Sequence, residues 1–193
     1  MNFDFTGVVF DGGDFSGAHF SGVTVTFQNA LFSGAVTFQN ARFSGGWVTF
    51  DDAQIPTDGT VNFGALFDGG TVAFHRALFT GGTALFADAF FRDSSTVLFG
   101  PQVADGTVDF SRAQFTGGRI DFSGAWFSGG RVDFEGAFFF GSTLDFSGAQ
   151  FRGSEVDFSE ADDWSCPPTF PWTDTDTSPP GVKLPRKADP AEA

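Results

Sequence analysis

Phenylalanine recurs at Phe5, Phe10, Phe15 and Phe20, once every five residues, and that period belongs to neither a helix nor a flat strand. Further along the spacing alternates between seven and five, through Phe110, Phe115, Phe122, Phe127, Phe134, Phe139, Phe146, Phe151 and Phe158. The stretch from Ile120 to Arg131, IDFSGAWFSGGR, shows the unit: two pentads and a two-residue insert. Composition agrees, since 30 Phe and 26 Gly stand beside 4 Trp, 1 Met and no Tyr. One small structural piece has been copied many times.

Two residues before each phenylalanine lies a second marked position. It alternates between a larger aliphatic residue (Val108, Ile120, Val132, Leu144, Val156) and alanine (Ala113, Ala125, Ala137, Ala149, Ala161). Residues two apart in an extended chain point to the same side. Each pentad therefore sends one Phe and one smaller side chain inward and the residue between them outward. The following pair, commonly Ser-Gly, turns the corner with the freedom glycine supplies.

The pattern resembles the bacterial pentapeptide-repeat family over about residues 3–163. That resemblance implies an all-β, right-handed quadrilateral parallel β-helix of about seven coils, four pentads to a coil. At roughly 4.8 Å per coil the rod is about 30 to 35 Å long. Inserts such as Gly118-Arg119 and Gly130-Arg131 fall on two opposite corners. The spacing slips and recovers at Ile55–Phe63–Phe67 and at Phe91–Phe99–Val103. Pro56 and Pro101 mark these places and are expected in outward turns that need no ladder hydrogen bond.

The domain reading is a solenoid over 1–163, an aromatic cap over 164–172 built on Trp164, Phe170 and Trp172, and a tail over 173–193. The tail is Pro-rich, with the composition of an extended or disordered segment. At the other end Phe3 and Phe5 begin the repeats at once, and an uncapped coil exposes strand edges and aromatic surface. That end is expected to dock a protein partner, to self-associate, or to follow an upstream membrane-associated segment. A formal charge of -14 and a pI near 4.1 disfavour direct binding to nucleic acid or anionic lipid. No run reaches the roughly 18 apolar residues a membrane span needs. With one cysteine, Cys166, and no signal peptide, a cytoplasmic location is expected.

Little in the sequence spells chemistry. His19 and His75 point outward by register, neither at metal-ligand spacing, and Cys166 has no base to activate it. No catalytic residue, cofactor, metal site or small-molecule substrate is expected, so the chain does not read as an enzyme. A calcium solenoid would need a different period and glycine spacing, and Arg119, Arg131 and Glu155 interrupt any ice-binding threonine ladder. The remaining candidate is an outward charge series: Asp109, Asp121, Asp133, Asp145 and Asp157 with Arg119 and Arg131. Two twelve-residue units per coil would stack Asp109, Asp133 and Asp157 on one face and Asp121 and Asp145 on the opposite one. Like charges about 5 Å apart repel, so such columns need water, cations or the arginines two residues earlier.

Three functions are compatible with this reading. The first is a non-enzymatic scaffold for protein–protein interaction. The second follows from the resemblance: some pentapeptide-repeat proteins imitate a DNA duplex in width and charge and inhibit DNA gyrase. Against it, Thr26, Thr37, Thr49 and Asn62 occupy the equivalent positions of the N-terminal half. The third is the soluble part of a membrane-associated protein.

Overall fold

The computed structural model describes residues 2–92, 94–172 and 178–185. Its regular structure is short parallel strands, joined into an 11-stranded and a 13-stranded sheet. The ladder register is the repeat period: Thr107 pairs with Arg131, and Arg131 with Glu155, 24 residues on. The chain is thus a parallel β-solenoid of about seven turns, each coil hydrogen-bonded to the next.

Four columns of rings run up the axis and define four faces. Face one carries Phe5, Phe27, Phe50, Phe74, Phe99, Phe122 and Phe146, while face three carries Phe15, Phe38, Phe63, Phe86, Phe110, Phe134 and Phe158. Face four carries Phe20, Phe43, Phe67, Phe91, Phe115 and Phe139. On face two Ile55 and Val103 stand among Phe10, Phe32, Phe79, Phe127 and Phe151. Successive rings are nearly parallel; Phe27 and Phe50 lie 4.7 Å apart at 1°. Rings of neighbouring columns meet edge to face, as Phe38 and Phe50 do at 89°. Each fully buried ring contributes roughly 1.5 to 3 kcal/mol, and aromatic geometry adds about 0.5 to 1.5.

The two kinds of corner have different local causes. At the insert corners the early strands run through unbroken: β3 (His19–Thr26) and β5 (Arg42–Thr49) join face four to face one. β4 (Leu31–Thr37) joins face two to face three. The inserts thus lie on opposite corners. Backbones approach so closely there that a Cβ on Gly46 would sit 2.3 Å from the Val23 carbonyl, at φ +82°. The other two corners are tight turns in which the Phe27 carbonyl accepts the Ala30 N–H at 3.0 Å. In many of these turns the third residue takes left-handed φ although it is not glycine, at Asn29, Asn40, Asp52, Arg76, Asp88 and Arg112.

Three expectations need correction. Pro101 does not sit in an outward turn; it is buried, in the place alanine holds in other coils. At that place the N–H serves only the turn, as Ala77 donates to the Phe74 carbonyl, whereas the carbonyl serves the ladder, as Pro101 accepts from Trp126 at 2.9 Å. A proline therefore costs the turn bond and leaves the ladder whole. Pro56 ends a strand, Gln54–Pro56, and is only partly exposed.

Beside the small Val103, the Phe99 ring tilts 56° from Phe74 and 60° from Phe122 and approaches Phe79 at 6.1 Å. Neighbouring columns exchange volume at that point. The axis is not a set of independent stacks.

The third correction concerns the tail. Residues 173–177 and 186–193 lie outside the described residues, but between them the chain is built into the fold. Val182 and Lys183 form β24, parallel to β23 (Glu155–Asp157), with Val182 buried and Leu184 packed on the core. Trp164 meets Phe139 on face four at 5.2 Å, Phe170 meets Phe146 on face one at 5.5 Å, and Trp172 meets Phe151 on face two at 5.3 Å. With β24 on face three, all four columns receive one more layer. The sequence hides this because the layer keeps neither the spacing nor the residue types of the repeat.

Candidate interaction faces

On faces one and three, most of the outward residues between the two inward ones share a local task. Asp109 accepts the Ser111 N–H at 2.7 Å and Asp121 the Ser123 N–H at 2.9 Å. Asp133 does the same for Glu135, Asp145 for Ser147 and Asp157 for Ser159. In the N-terminal half Thr26, Thr37, Thr49 and Asn62 bond the N–H two residues on by the same geometry. Each side chain closes the start of the next turn, as Asx and Ser/Thr turns do. The coil beginning at Ala73 tests this, because alanine has nothing to offer. There Asp51 of the coil below bonds the His75 N–H at 2.9 Å instead.

This turn-closing task is what the sequence reading of the Asp series missed. The signal was present: Asp-Phe-Ser recurs at Asp109, Asp121, Asp145 and Asp157, with Thr26, Thr37, Thr49 and Asn62 in the same frame earlier in the chain.

The register puts Asp109, Asp133 and Asp157 in one column on face three, and Asp121 beside Asp145 on face one. Cations thread both columns. Arg131 bonds Asp133 at 2.7 Å and Glu155 at 2.8 Å, and Lys183 then bridges Glu155 and Asp157 at 2.6 and 3.0 Å. Arg119 reaches Asp121 at 2.8 Å and Asp145 at 3.5 Å. Asp109 has no ion pair among the described residues. Burial pushes the Asp121 and Asp157 carboxyls up, but hydrogen bonds from Arg119 and Ser123, and from Ser159 and Lys183, outweigh it and hold both below the usual carboxylate value. Further pairs sit on the tight turns, where Arg76 holds Asp52 and Arg112 holds Asp88, both through two bonds.

His19 is exposed, and His75 Nδ1 lies 3.3 Å from Asp51. Cys166 Sγ accepts the Gly141 N–H at 3.5 Å, and the Cys166 N–H continues the ladder to Phe139. No group of His, Cys, Asp and Glu among the described residues has metal-holding geometry.

Outside the charge columns the surface carries large apolar side chains in the open. Phe140 is 62 % exposed and Val9 61 %, with Trp126, Phe3, Trp47 and Phe138 at 38 to 46 %. Phe138 and Phe140 line a depression of about 270 Å³ on face four with Gln114, Thr116 and Asp163. A neighbouring one of about 360 Å³ collects Arg112, Glu135, Glu160 and Asp162.

A four-sided solenoid whose outward residues close its own turns is the architecture of one class of repeat protein. A family model for pentapeptide repeats (9 copies) matches residues 5–54, and the same pairing register continues to the end of the fold. Over residues 5–54 the chain is thus matched by the pentapeptide-repeat family, and the parallel β-solenoid continues beyond that stretch. Among solved structures it is similar to trypsin-treated QnrB1, a plasmid-mediated fluoroquinolone resistance protein, at 16% identity and TM-score 0.31, over 82% of this chain and 92% of that one. It is also similar to HetL, a pentapeptide repeat protein involved in heterocyst differentiation regulation from the cyanobacterium Nostoc sp. strain PCC 7120, at 14% identity and TM-score 0.16, over 84% and 90%. No curated protein matches in sequence. No helix among the described residues is long and apolar enough to cross a membrane.

Proposed function

We propose that this pentapeptide-repeat protein is a non-enzymatic scaffold that binds protein partners, itself included, through its flat side faces and its N-terminal coil. The observation that carries the reading is the distribution of apolar surface. The core consumes most of the phenylalanines, yet Phe138 and Trp126 are left standing outward on strands, Phe140 just past a strand end, and Val9 and Phe3 on the first coil. Exposed apolar residues on a rigid backbone lose little entropy on docking and supply the anchors that interfaces use.

The test is cross-linked co-purification with Val9→Asp and Phe140→Asp proteins beside the unaltered one. Loss of a partner on either substitution, with unchanged circular dichroism, supports the reading. A partner set unaffected by both, together with a strict monomer at high concentration, removes it.

The DNA-imitating alternative draws on the net charge of -14. Its difficulty is local. The aspartates it would use are turn-closing groups, and Arg119, Arg131 and Lys183 neutralise most of them. A gyrase supercoiling assay decides it, since no inhibition at micromolar protein ends that reading.

A further inference from the structure

Face four differs from the others in what it shows to solvent. β12 (Phe90–Arg92), β16 (Gln114–Phe115) and β20 (Phe138–Phe139) are consecutive rungs there, with Phe90 paired to Gln114 and Gln114 to Phe138. The outward column therefore reads Phe90, Gln114, Phe138, a palindrome about Gln114. Two residues along, the next column reads Arg92, Thr116, Phe140, with Phe140 the most exposed large apolar residue among those described. The ladder extends this second column past the strand ends, since the Thr116 N–H bonds the Phe91 carbonyl and the Phe140 N–H the Phe115 carbonyl. The Arg92 guanidinium lies 5.2 Å from the Phe90 ring centre.

A two-fold axis running along β16, in the plane of the face, sets two such faces against each other with their rods antiparallel. It brings Phe90 of each copy opposite Phe138 of the other. It also brings each Arg92 opposite Phe140, toward the rung where Asp163 follows Phe138 in the column. Aromatic meets aromatic, and a cation meets a ring with a carboxylate behind it. A self-complementary patch of this kind is what an isologous two-fold contact requires.

We propose that face four is the interface of a weak antiparallel homodimer centred on Gln114. This deepens the scaffold reading and rests on it. The patch spans three to five rungs, roughly 15 to 25 Å. That places the contact in the small, transient class, below about 1,200 Å² in total, and a micromolar or weaker dissociation constant is expected.

The experiment is sedimentation velocity from micromolar to millimolar protein on the unaltered chain, Phe140→Lys and Val9→Asp, with thermal unfolding as the control for folding. Because each substitution occurs twice in a symmetric contact and sets a lysine against Arg92 of the other copy, Phe140→Lys is expected to weaken dimerisation roughly a hundredfold, about tenfold per site, while Val9→Asp leaves it unchanged. Spin labels attached at position 114 in a Cys166→Ser background should give a short inter-label distance, and labels at Gln150 on face two a long one. Dimerisation lost in Val9→Asp and kept in Phe140→Lys moves the contact to the N-terminal coil and overturns the face-four assignment. That result leaves the scaffold reading standing. A monomer at every concentration overturns the homodimer, and the co-purification arms above then judge the scaffold separately.

Discussion

The two ends of the rod solve one problem differently. At the N-terminal end Phe3 and Val9 stand exposed, and Asp4 and Asp14 close their turns to Thr6 and Ser16 with no cation beside them among the described residues. At the C-terminal end Trp164, Phe170 and Trp172 cover three columns, β24 covers the fourth, and Lys183 neutralises the last two carboxylates of face three. A solenoid is stabilised by neighbouring coils, so each terminal coil lacks half its partners. Here the C-terminal end replaces them with irregular, bulky residues, whereas among the described residues no such layer lies over the first coil.

Truncation after Asp163 should break this contrast most severely. It uncovers four columns at once, and burial of about four large side chains at roughly 1.5 to 3 kcal/mol each is lost. A fall in melting temperature with light-scattering aggregates is expected. Removing the first coil should do far less, since it exposes a second coil of the same kind.

Next in size is the core. Phe110→Ala, in mid-rod, is expected to cost about 3 to 5 kcal/mol in denaturant unfolding, whereas Phe5→Ala, on the partly exposed first coil, should cost less than half as much. Equal costs would show that the ends are as tightly packed as the middle.

Asp157→Ala removes the acceptor for the Ser159 N–H and one partner of Lys183, and about 1 to 2 kcal/mol should go with them. Asp14→Ala, at the open end, should leave unfolding nearly unchanged. Hydrogen exchange would show the same order, with faster exchange of the first coil's amides than of β24.

The smallest effect is on pH. The Asp4, Asp14, Asp121 and Asp157 carboxyls lie below the ordinary 3.8, and Glu155 below its ordinary 4.5. Groups depressed on folding contribute stability that is present above their unfolded values and lost as pH falls through the folded ones. The Lys183 ammonium is raised above 10.5 by Glu155 and Asp157, so its contribution is complete below that value and lost above it. Melting temperature should be level from about pH 5 to pH 10 and fall on both sides. Lys183→Met should remove the alkaline limb and keep the acid one.

Much of this protein could be read directly from its residues. The Phe period with its Val and Ala positions two residues earlier marked the inward residues, and the resemblance to the pentapeptide-repeat family then implied four columns, about seven coils and the stacking of Asp109 with Asp133 and Asp157. A repeat places equivalent residues in equivalent environments, so periodicity is itself a statement about contacts. The tertiary structure decided what the repeat does not spell. Asp51 closes a turn 24 residues away because Ala73 cannot. Phe99 turns because Val103 leaves room beside it, and Pro101 faces inward because only its carbonyl is needed. Val182 pairs with Val156 although no spacing links them. Each depends on what the neighbouring coil happens to lack, and a vacancy is visible only once the coils are stacked.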